Sequence, residues 1–248
     1  MILEFIKSIS SKAPSWAREQ GLLKESIAIE ARYNRQKKYW DPHLTQCHFA
    51  IEHFLNEYPS AKRIGVLGSG HLFDFPTSVL NDPSFEIFLF DAVHPRSRKI
   101  KSAKAKLNFV SCDLNFAFEI LSFDYNEFSS CELMLSTNLL SQLALMGSAR
   151  AHEQRSEVAQ KLIGQHLDFL KSLKKPALVI SDFEKIFKTR ESEILKVESS
   201  LWDFKMPEPY ETWEWRLAPL GEVSQDYSLD LKVGTWKIHK LDPYRVDG

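Results

Sequence analysis

From residue 63 onward the chain repeats one pattern: a short, nearly unbroken apolar run, a polar turn, then a stretch with helical spacing. The runs are RIGVL (63–67), FEIFLF (85–90), LNFV (107–110), ELMLS (132–136) and ALVIS (177–181). Runs of four to six residues are short for helices, and runs without strict alternation suit strands buried on both faces. Helical segments lie between most of them. The clearest covers about 149–173, with Val158, Ala159, Leu162, Ile163, Leu167 and Leu170 on one face. Short buried strands alternating with helices make a parallel sheet covered on both sides. The end of the chain departs from this pattern. Segments 212–217 and 229–238 alternate apolar with polar residues and have no helical stretch between them, as expected of an antiparallel pair closing the sheet. The expectation is an α/β protein: a doubly wound, Rossmann-like seven-stranded sheet, mostly parallel, with an antiparallel C-terminal strand pair.

The first sixty residues read differently. Leu44, Cys47, Ile51, Phe54, Leu55 and Tyr58 follow helical spacing. Asp41-Pro42 fits the start of that helix, because Asp can cap and Pro at the first position gives up no useful N–H. An earlier helix over about 22–39 is expected, with a break between the two. The domain division is therefore an N-terminal helical extension, 1–60, and a Rossmann-like domain, 61–248, which suits a chain of 248 residues.

Composition narrows the function classes. Lys and Arg number 32 against 33 Asp and Glu, for a net charge of -1, so no global field drives the chain to nucleic acid or an anionic membrane. The run RSRKIKSAKAK, 96–106, holds six cations and no acid. It reads first as a solvated helix face and second as a phosphate contact, and no aromatic is interleaved for base stacking. The start, MILEFIKSISSK, is broken by Glu4 and Lys7 and does not resemble a leader; no apolar window is long enough for a membrane span. Cys47, Cys112 and Cys131 form no CxxC pair and are expected as buried free thiols, which suits the cytoplasm. His43, His48 and His53 are five apart, the wrong spacing for one metal-binding helix face, so no metal site is expected.

The strongest local signal is VLGSGHLFDFP, 66–76, in which the first apolar run enters Gly68-Ser69-Gly70. Glycine there permits a tight turn and close backbone approach to a ligand. The third glycine of G-x-G-x-x-G is replaced by Phe73, and that of G-x-G-x-G by Leu72. Asp91 stands about twenty residues beyond Gly70, at the carboxyl end of the second run. An acid there can accept hydrogen bonds from ribose hydroxyls, or cap a helix. Asp113 follows the third run and can face an adenine amino group, or cap a helix starting near residue 114. Asn138 and Gln142 are four apart and can share a helix face toward a ligand; alternatively Asn138 is a cap.

The series VLGSG, LFDAVH, VSCDL and LMLSTNLLSQL resembles motifs I to IV of class I S-adenosylmethionine-dependent methyltransferases, over roughly residues 60–182. The flanks YNRQKKYWDPH and WEWRLAPLGE are similar to those of a bacterial branch of that superfamily. The resemblance implies S-adenosylmethionine as cofactor. It places Gly68, Ser69 and Gly70 at the methionine part, Asp91 at the ribose and Asp113 at the adenine, with Asn138 also beside the cofactor. It implies methyl transfer, with a small-molecule acceptor preferred. The chain has no [DNS]-Pro-Pro-[FYW] motif and no Pro-Cys nucleophile in 135–146, which argues against nucleobase or protein amide methylation and against cytosine C5 methylation. Two alternatives stay open: a methyltransferase acting on RNA or protein, and a noncatalytic binding protein, the latter favoured by Leu72 and Phe73. Candidates for accepting a proton are His94, Asp182 and Asp74, each with an ordinary capping or turn role as its alternative. In 31–43, Tyr33, Arg35, Trp40 and His43 read either as a substrate-binding cover or, for the aromatics, as packing.

Overall fold

A computed structural model describes residues 13–95, 98–114, 125–150 and 154–238. The chain divides into two compact units, Met1–Glu132 and Leu133–Gly248.

The first unit contains α1 (Ser15–Glu19), α2 (Leu22–Asn56), β1 (Arg63–Leu67), α3 (Thr77–Leu80), β2 (Glu86–Asp91), α4 (Arg98–Lys101), β3 (Lys106–Ser111) and α5 (Tyr125–Ser130). β2 pairs in parallel with β1 on one side and β3 on the other. The register sets Leu67 beside Phe90 and Phe90 beside Val110, so all three strands finish at one level. Gly68, Asp91 and Ser111 follow there together. The apolar runs are buried as their composition requires: Ile64, Val66, Leu67, Ile87, Leu89 and Phe90 are inaccessible to solvent, and Phe90 stacks on Phe128 of α5 at 4.1 Å. β3 is more exposed, and Lys106 at its start pairs with Glu86 at 2.6 Å.

The expected helix break at Asp41-Pro42 is not there. α2 runs unbroken for 35 residues with Pro42 inside it. Proline removes one intrahelical hydrogen bond and crowds the preceding turn, at about 3 kcal/mol. Packing on both sides of Pro42 outweighs that cost: Trp40, His43, Leu44, Cys47, Ile51, Phe54 and Leu55 are all buried on one face. Each large apolar side chain buried there contributes about 1.5–3 kcal/mol. Pro42 itself is exposed, and Thr45 donates its hydroxyl to the Asp41 carbonyl at 2.9 Å.

The second unit contains β4 (Leu133–Thr137), α6 (Leu140–Arg150), α7 (Arg155–Ser172), β5 (Ala177–Lys188), β6 (Ile194–Ser199), β7 (Thr212–Ala218) and β8 (Ser228–Lys237). β4 and β5 are parallel; β8 is antiparallel to β5, and β7 to β8. The expected C-terminal antiparallel pair is thus β7–β8. β5 is longer than the run 177–181 implied, and its distal half carries β6, a strand absent from the sequence reading. The helical segment expected over 149–173 is α7, which starts later, at Arg155; only residues 149 and 150 of that span belong to α6. Gln154, with φ 55, precedes α7, and residues 151–153 lie outside the described residues. The apolar face of α7 is as expected, with Ala159, Leu162, Ile163, His166, Leu167 and Leu170 buried. Asp230 ties three strands together: it accepts two hydrogen bonds from Arg216, at 2.7 and 3.0 Å, and pairs with Lys188 at 2.9 Å.

Among the described residues no helix is long and apolar enough to cross a membrane. The three cysteines are buried thiols.

Candidate functional site

The glycine loop leaves β1 at the common level of the strand ends. Gly68 extends the β1–β2 ladder by one bond, its N–H donating to the Phe90 carbonyl at 2.9 Å. Gly68 and Gly70 have φ 68 and 44, the left-handed region that glycine enters without strain. The Gly70 N–H then donates to Asp91 Oδ2 at 2.7 Å, and the Val93 N–H to Asp91 Oδ1 at 3.1 Å. One carboxylate at the end of β2 therefore holds both the glycine loop and its own following turn. Burial pushes the Asp91 carboxyl above its ordinary proton affinity; the N–H groups of Gly70, Val93 and Ala92 and the nearby His71 pull it back only in part. A carboxylate offers about four lone-pair sites, so Asp91 keeps capacity to accept from a ligand.

Ser69 is 3% exposed, and its hydroxyl has no hydrogen-bond partner among the described residues. Leu72, at the third-glycine position of the shorter pattern, has φ 57 and is 1% exposed. The loop closes through Leu72 N–H to the Ser69 carbonyl, 2.9 Å. Asp113 is half-buried, two residues beyond β3. Between them Cys112 donates its N–H to the Asp91 carbonyl at 3.0 Å. Its thiol is pushed far up by burial and by the charges of Asp91, Asp113 and Glu127. The structure thus brings Gly68, Ser69, Gly70, Asp91 and Asp113 to the same end of three adjacent strands. The helix expected after Asp113 lies outside the described residues.

The N-terminal helices cover this end. Ala17 of α1 and Leu23 of α2 pack with Ala92 and Val93, immediately after Asp91. His71 Nε2 lies 3.0 Å from the Ser26 carbonyl oxygen and 3.2 Å from its hydroxyl. The His71 ring stacks on Phe73 at 5.0 Å, and Phe73 on Tyr33 at 4.0 Å. His48 Nε2 donates to the Phe73 carbonyl at 2.9 Å. So His71 and Phe73, on either side of Leu72, are the residues that α2 grips. Ser26 and His48 were not legible as part of this grouping. A signal existed: Ser26, Tyr33, Trp40, Cys47 and Phe54 recur every seven residues, which puts them on one helix face.

The four residues read as a substrate cover separate. Tyr33 belongs to the stack on Phe73, with Trp40 6.0 Å away. Trp40 and His43 are buried, while Arg35 is on the exposed side of α2. His43 lies 3.5 Å from Cys47 Sγ, and burial, with the charge of His48, brings its pKa down to about 3. Among the proton-accepting candidates, His94 is buried with its ring edge-on to Phe109 at 5.3 Å. Asp74 is half-buried in the turn after Phe73. In the second unit, Asp182 is buried on β5 and accepts the Ser141 hydroxyl at 2.5 Å.

Asn138 and Gln142 do not share a helix face. Asn138 stands before α6 with φ 51, its N–H donating to the Ile180 carbonyl at 2.7 Å, and Gln142 is exposed. The left-handed backbone at Asn138 ends the strand sharply and keeps that residue out of the helix. Of the basic run, residues 96 and 97 lie outside the described residues, and Lys106 is paired with Glu86. No group of three or more potential metal ligands occurs among the described residues.

No protein-family model and no curated protein matches the chain. Solved structures do. The methyltransferase domain of a bacterial Hen1 protein (CtHen1-CN) is matched at 11% identity over 78% of this chain and 100% of that one, TM-score 0.33. An O-methyltransferase family protein from Burkholderia thailandensis is matched at 12% identity over 83% of this chain and 59% of that one, TM-score 0.37. The 1,6-didemethyltoxoflavin-N1-methyltransferase of the same organism, solved with 1,6-didemethyltoxoflavin and S-adenosylhomocysteine, is matched at 12% identity over 85% of this chain and 89% of that one, TM-score 0.37. Likeness at this level assigns neither a residue's role nor an activity.

Proposed function

We propose that the chain binds S-adenosylmethionine at the strand ends of its first unit and transfers the methyl group to a small molecule. The single observation that carries this reading is the 2.7 Å bond from Gly70 N–H to Asp91. It joins a glycine turn at one strand end to an acid at the next, the arrangement on which an adenosine with its ribose hydroxyls can be held. Two features fit such a ligand. Asp91 retains accepting capacity for ribose hydroxyls, and the buried Ser69 hydroxyl has no hydrogen-bond partner among the described residues. Gly68 and Gly70 would allow close backbone approach, and Asp113 would face the adenine. Residues 61–248 would form the methyltransferase-like domain and 1–60 its helical extension.

When bound, the cofactor supplies a methyl group on a sulfonium, open to in-line attack by the acceptor. The protein's part is positioning and exclusion of water, which can supply much of the acceleration. The α2 face with Ser26 and Tyr33, closing over the glycine loop, serves exclusion. A proton acceptor is needed only if the acceptor atom carries a proton at working pH; within the first unit, His94 and Asp74 remain the candidates.

One observation favours a second reading, a noncatalytic binding protein: a buried leucine holds a left-handed position where the methyltransferase pattern has glycine. Calorimetry with S-adenosylmethionine and S-adenosylhomocysteine tests binding, and label transfer from methyl-labelled cofactor into a metabolite extract tests turnover. Absence of binding at millimolar ligand to folded protein would overturn the first reading and leave the second only with a different ligand or a partner. Binding without transfer would select the second. Ser69→Ala sharpens the outcome. Removing an unpartnered buried hydroxyl should stabilise the free protein, and should weaken cofactor binding if the hydroxyl is a ligand contact.

A further inference from the structure

The strand missed in the sequence carries the largest group of exposed apolar side chains among the described residues of the second unit. On β6, Ile194, Leu195 and Val197 are 63%, 57% and 51% exposed. Among the described residues β6 pairs with β5 alone, so one of its edges has no described partner. Which backbone groups face that edge follows from the ladder. Glu184 to Phe187 oppose Ser199 to Lys196 one for one, and the ladder continues to Phe183 and Ser200, where Ser200 N–H donates to the Phe183 carbonyl at 2.9 Å. Hydrogen-bonded and non-hydrogen-bonded pairs alternate in an antiparallel ladder. Ser200, Glu198 and Lys196 therefore turn their backbone groups toward β5. Ser199 and Val197 turn theirs outward; beyond Lys196 the register shifts, Ile194 and not Leu195 opposing Lys188, so Leu195 is the extra residue of a bulge.

We propose that β6 is a homodimer interface, two copies pairing antiparallel about a two-fold axis at Val197. An isologous contact requires a self-complementary patch, and the sequence ILKVES is self-complementary in one register. Outward-facing residues must pair with outward-facing residues, so the axis must fall on a residue and not between two. An axis at Lys196 sets lysine against lysine, and one at Glu198 sets glutamate against glutamate. An axis at Leu195 pairs Lys196 with Ile194 and leaves Glu198 beyond the strand. An axis at Val197 pairs Val197 with its copy and lies within the regular stretch, residues 196–199. It also places Lys196 opposite Glu198 of the other copy, twice. Those two positions are the non-hydrogen-bonded ones, where side chains across an antiparallel pair come closest. Exposed edges are commonly protected by charges that repel a second strand; here the charges attract one. So short a ladder buries little area, so the dimer is expected in the weak, concentration-dependent class. The inference does not depend on the proposed activity.

Sedimentation equilibrium of the full chain, over a concentration series, is the test. The wild type should pass from monomer to dimer. Lys196→Glu and Glu198→Lys should each weaken the dimer by about tenfold or more, about 1.4 kcal/mol, because each sets like charges opposite each other at both contacts. An equimolar mixture of the two variants should regain the dimer, since all four facing charges are then opposite. Both side chains are partly exposed, 63% and 39%, so circular dichroism should be unchanged. Should either variant misfold, Val197→Lys serves instead, placing lysine on lysine at the axis. A wild type that stays monomeric from micromolar to millimolar concentration overturns the proposal. So does a dimer indifferent to these substitutions, or a mixture that associates no better than its components.

Discussion

Gly70 and Asp91 are 21 residues apart in the chain, yet the N–H of one donates to the carboxylate of the other at 2.7 Å. The bond gives Asp91 two roles, to hold the glycine loop and to meet a ligand, and these can be separated. Asp91→Ala should weaken S-adenosylhomocysteine binding by about 1.5–3 kcal/mol, the loss of a charge-assisted hydrogen bond. Because burial raises the proton affinity of this carboxyl, wild-type binding should begin to fall at a higher pH than an ordinary aspartate would produce. Calorimetry across an acid series reads both effects. An affinity that Asp91→Ala leaves unchanged would restrict Asp91 to its structural role.

Leu72 sets two energies against each other. A leucine in the left-handed region costs about 1–2 kcal/mol, which glycine would relieve. Removing a buried leucine side chain costs about 2–5 kcal/mol, and Leu72 is 1% exposed. The packing loss wins, so Leu72→Gly should lower stability by about 1–3 kcal/mol in chemical denaturation. Its effect on ligand affinity separates the two functional readings. A gain would mean that the leucine narrows the pocket; no change would mean that the loop already accommodates the cofactor.

The strand ends were legible because the pattern there is local. Unbroken apolar runs followed by glycine or aspartate give both the strands and their ends, and Gly68, Gly70, Asp91 and Asp113 lie where that pattern puts them. Contacts spanning many residues were not legible. Ser26 with His71, and His48 with Phe73, join positions 45 and 25 residues apart, and nothing near either residue marks its partner. β6 was missed because its six residues mix charges with exposed apolar side chains, with no buried face to betray them. Asp41-Pro42 misled for the opposite reason. The local signal was real, and tertiary packing overrode it.

That override makes a prediction at Pro42. Alanine would restore the missing intrahelical N–H, and the helix-interior difference between the two residues is about 3 kcal/mol. Proline offsets about 0.4–1 kcal/mol of this by restricting the unfolded chain. Pro42→Ala should therefore stabilise the protein by about 2 kcal/mol, read as a rise in denaturation midpoint. A loss of stability would contradict the unbroken α2.

His43 and His166 give the molecule an acid limit. Both are buried, His166 with its Nε2 at 2.9 Å from the Ser136 hydroxyl, and burial lowers each pKa to about 3. For His43 the charge of His48 adds to the effect. In the unfolded chain both titrate near 6.5. Between those values the unfolded state binds more protons than the folded one, so stability falls as pH falls. The contribution of the neutral imidazoles is whole above about pH 6.5 and is lost progressively toward pH 3. Each histidine should give a slope of up to about 1.4 kcal/mol per pH unit, or roughly 2 kcal/mol by pH 5. Urea denaturation from pH 7.5 to 5 should show the combined slope. His166→Gln, which keeps a polar group for Ser136 and removes the titration, should lower stability at pH 7.5 yet roughly halve the slope below 6.5. A wild-type stability that is flat over this range would mean that neither imidazole is held neutral by burial.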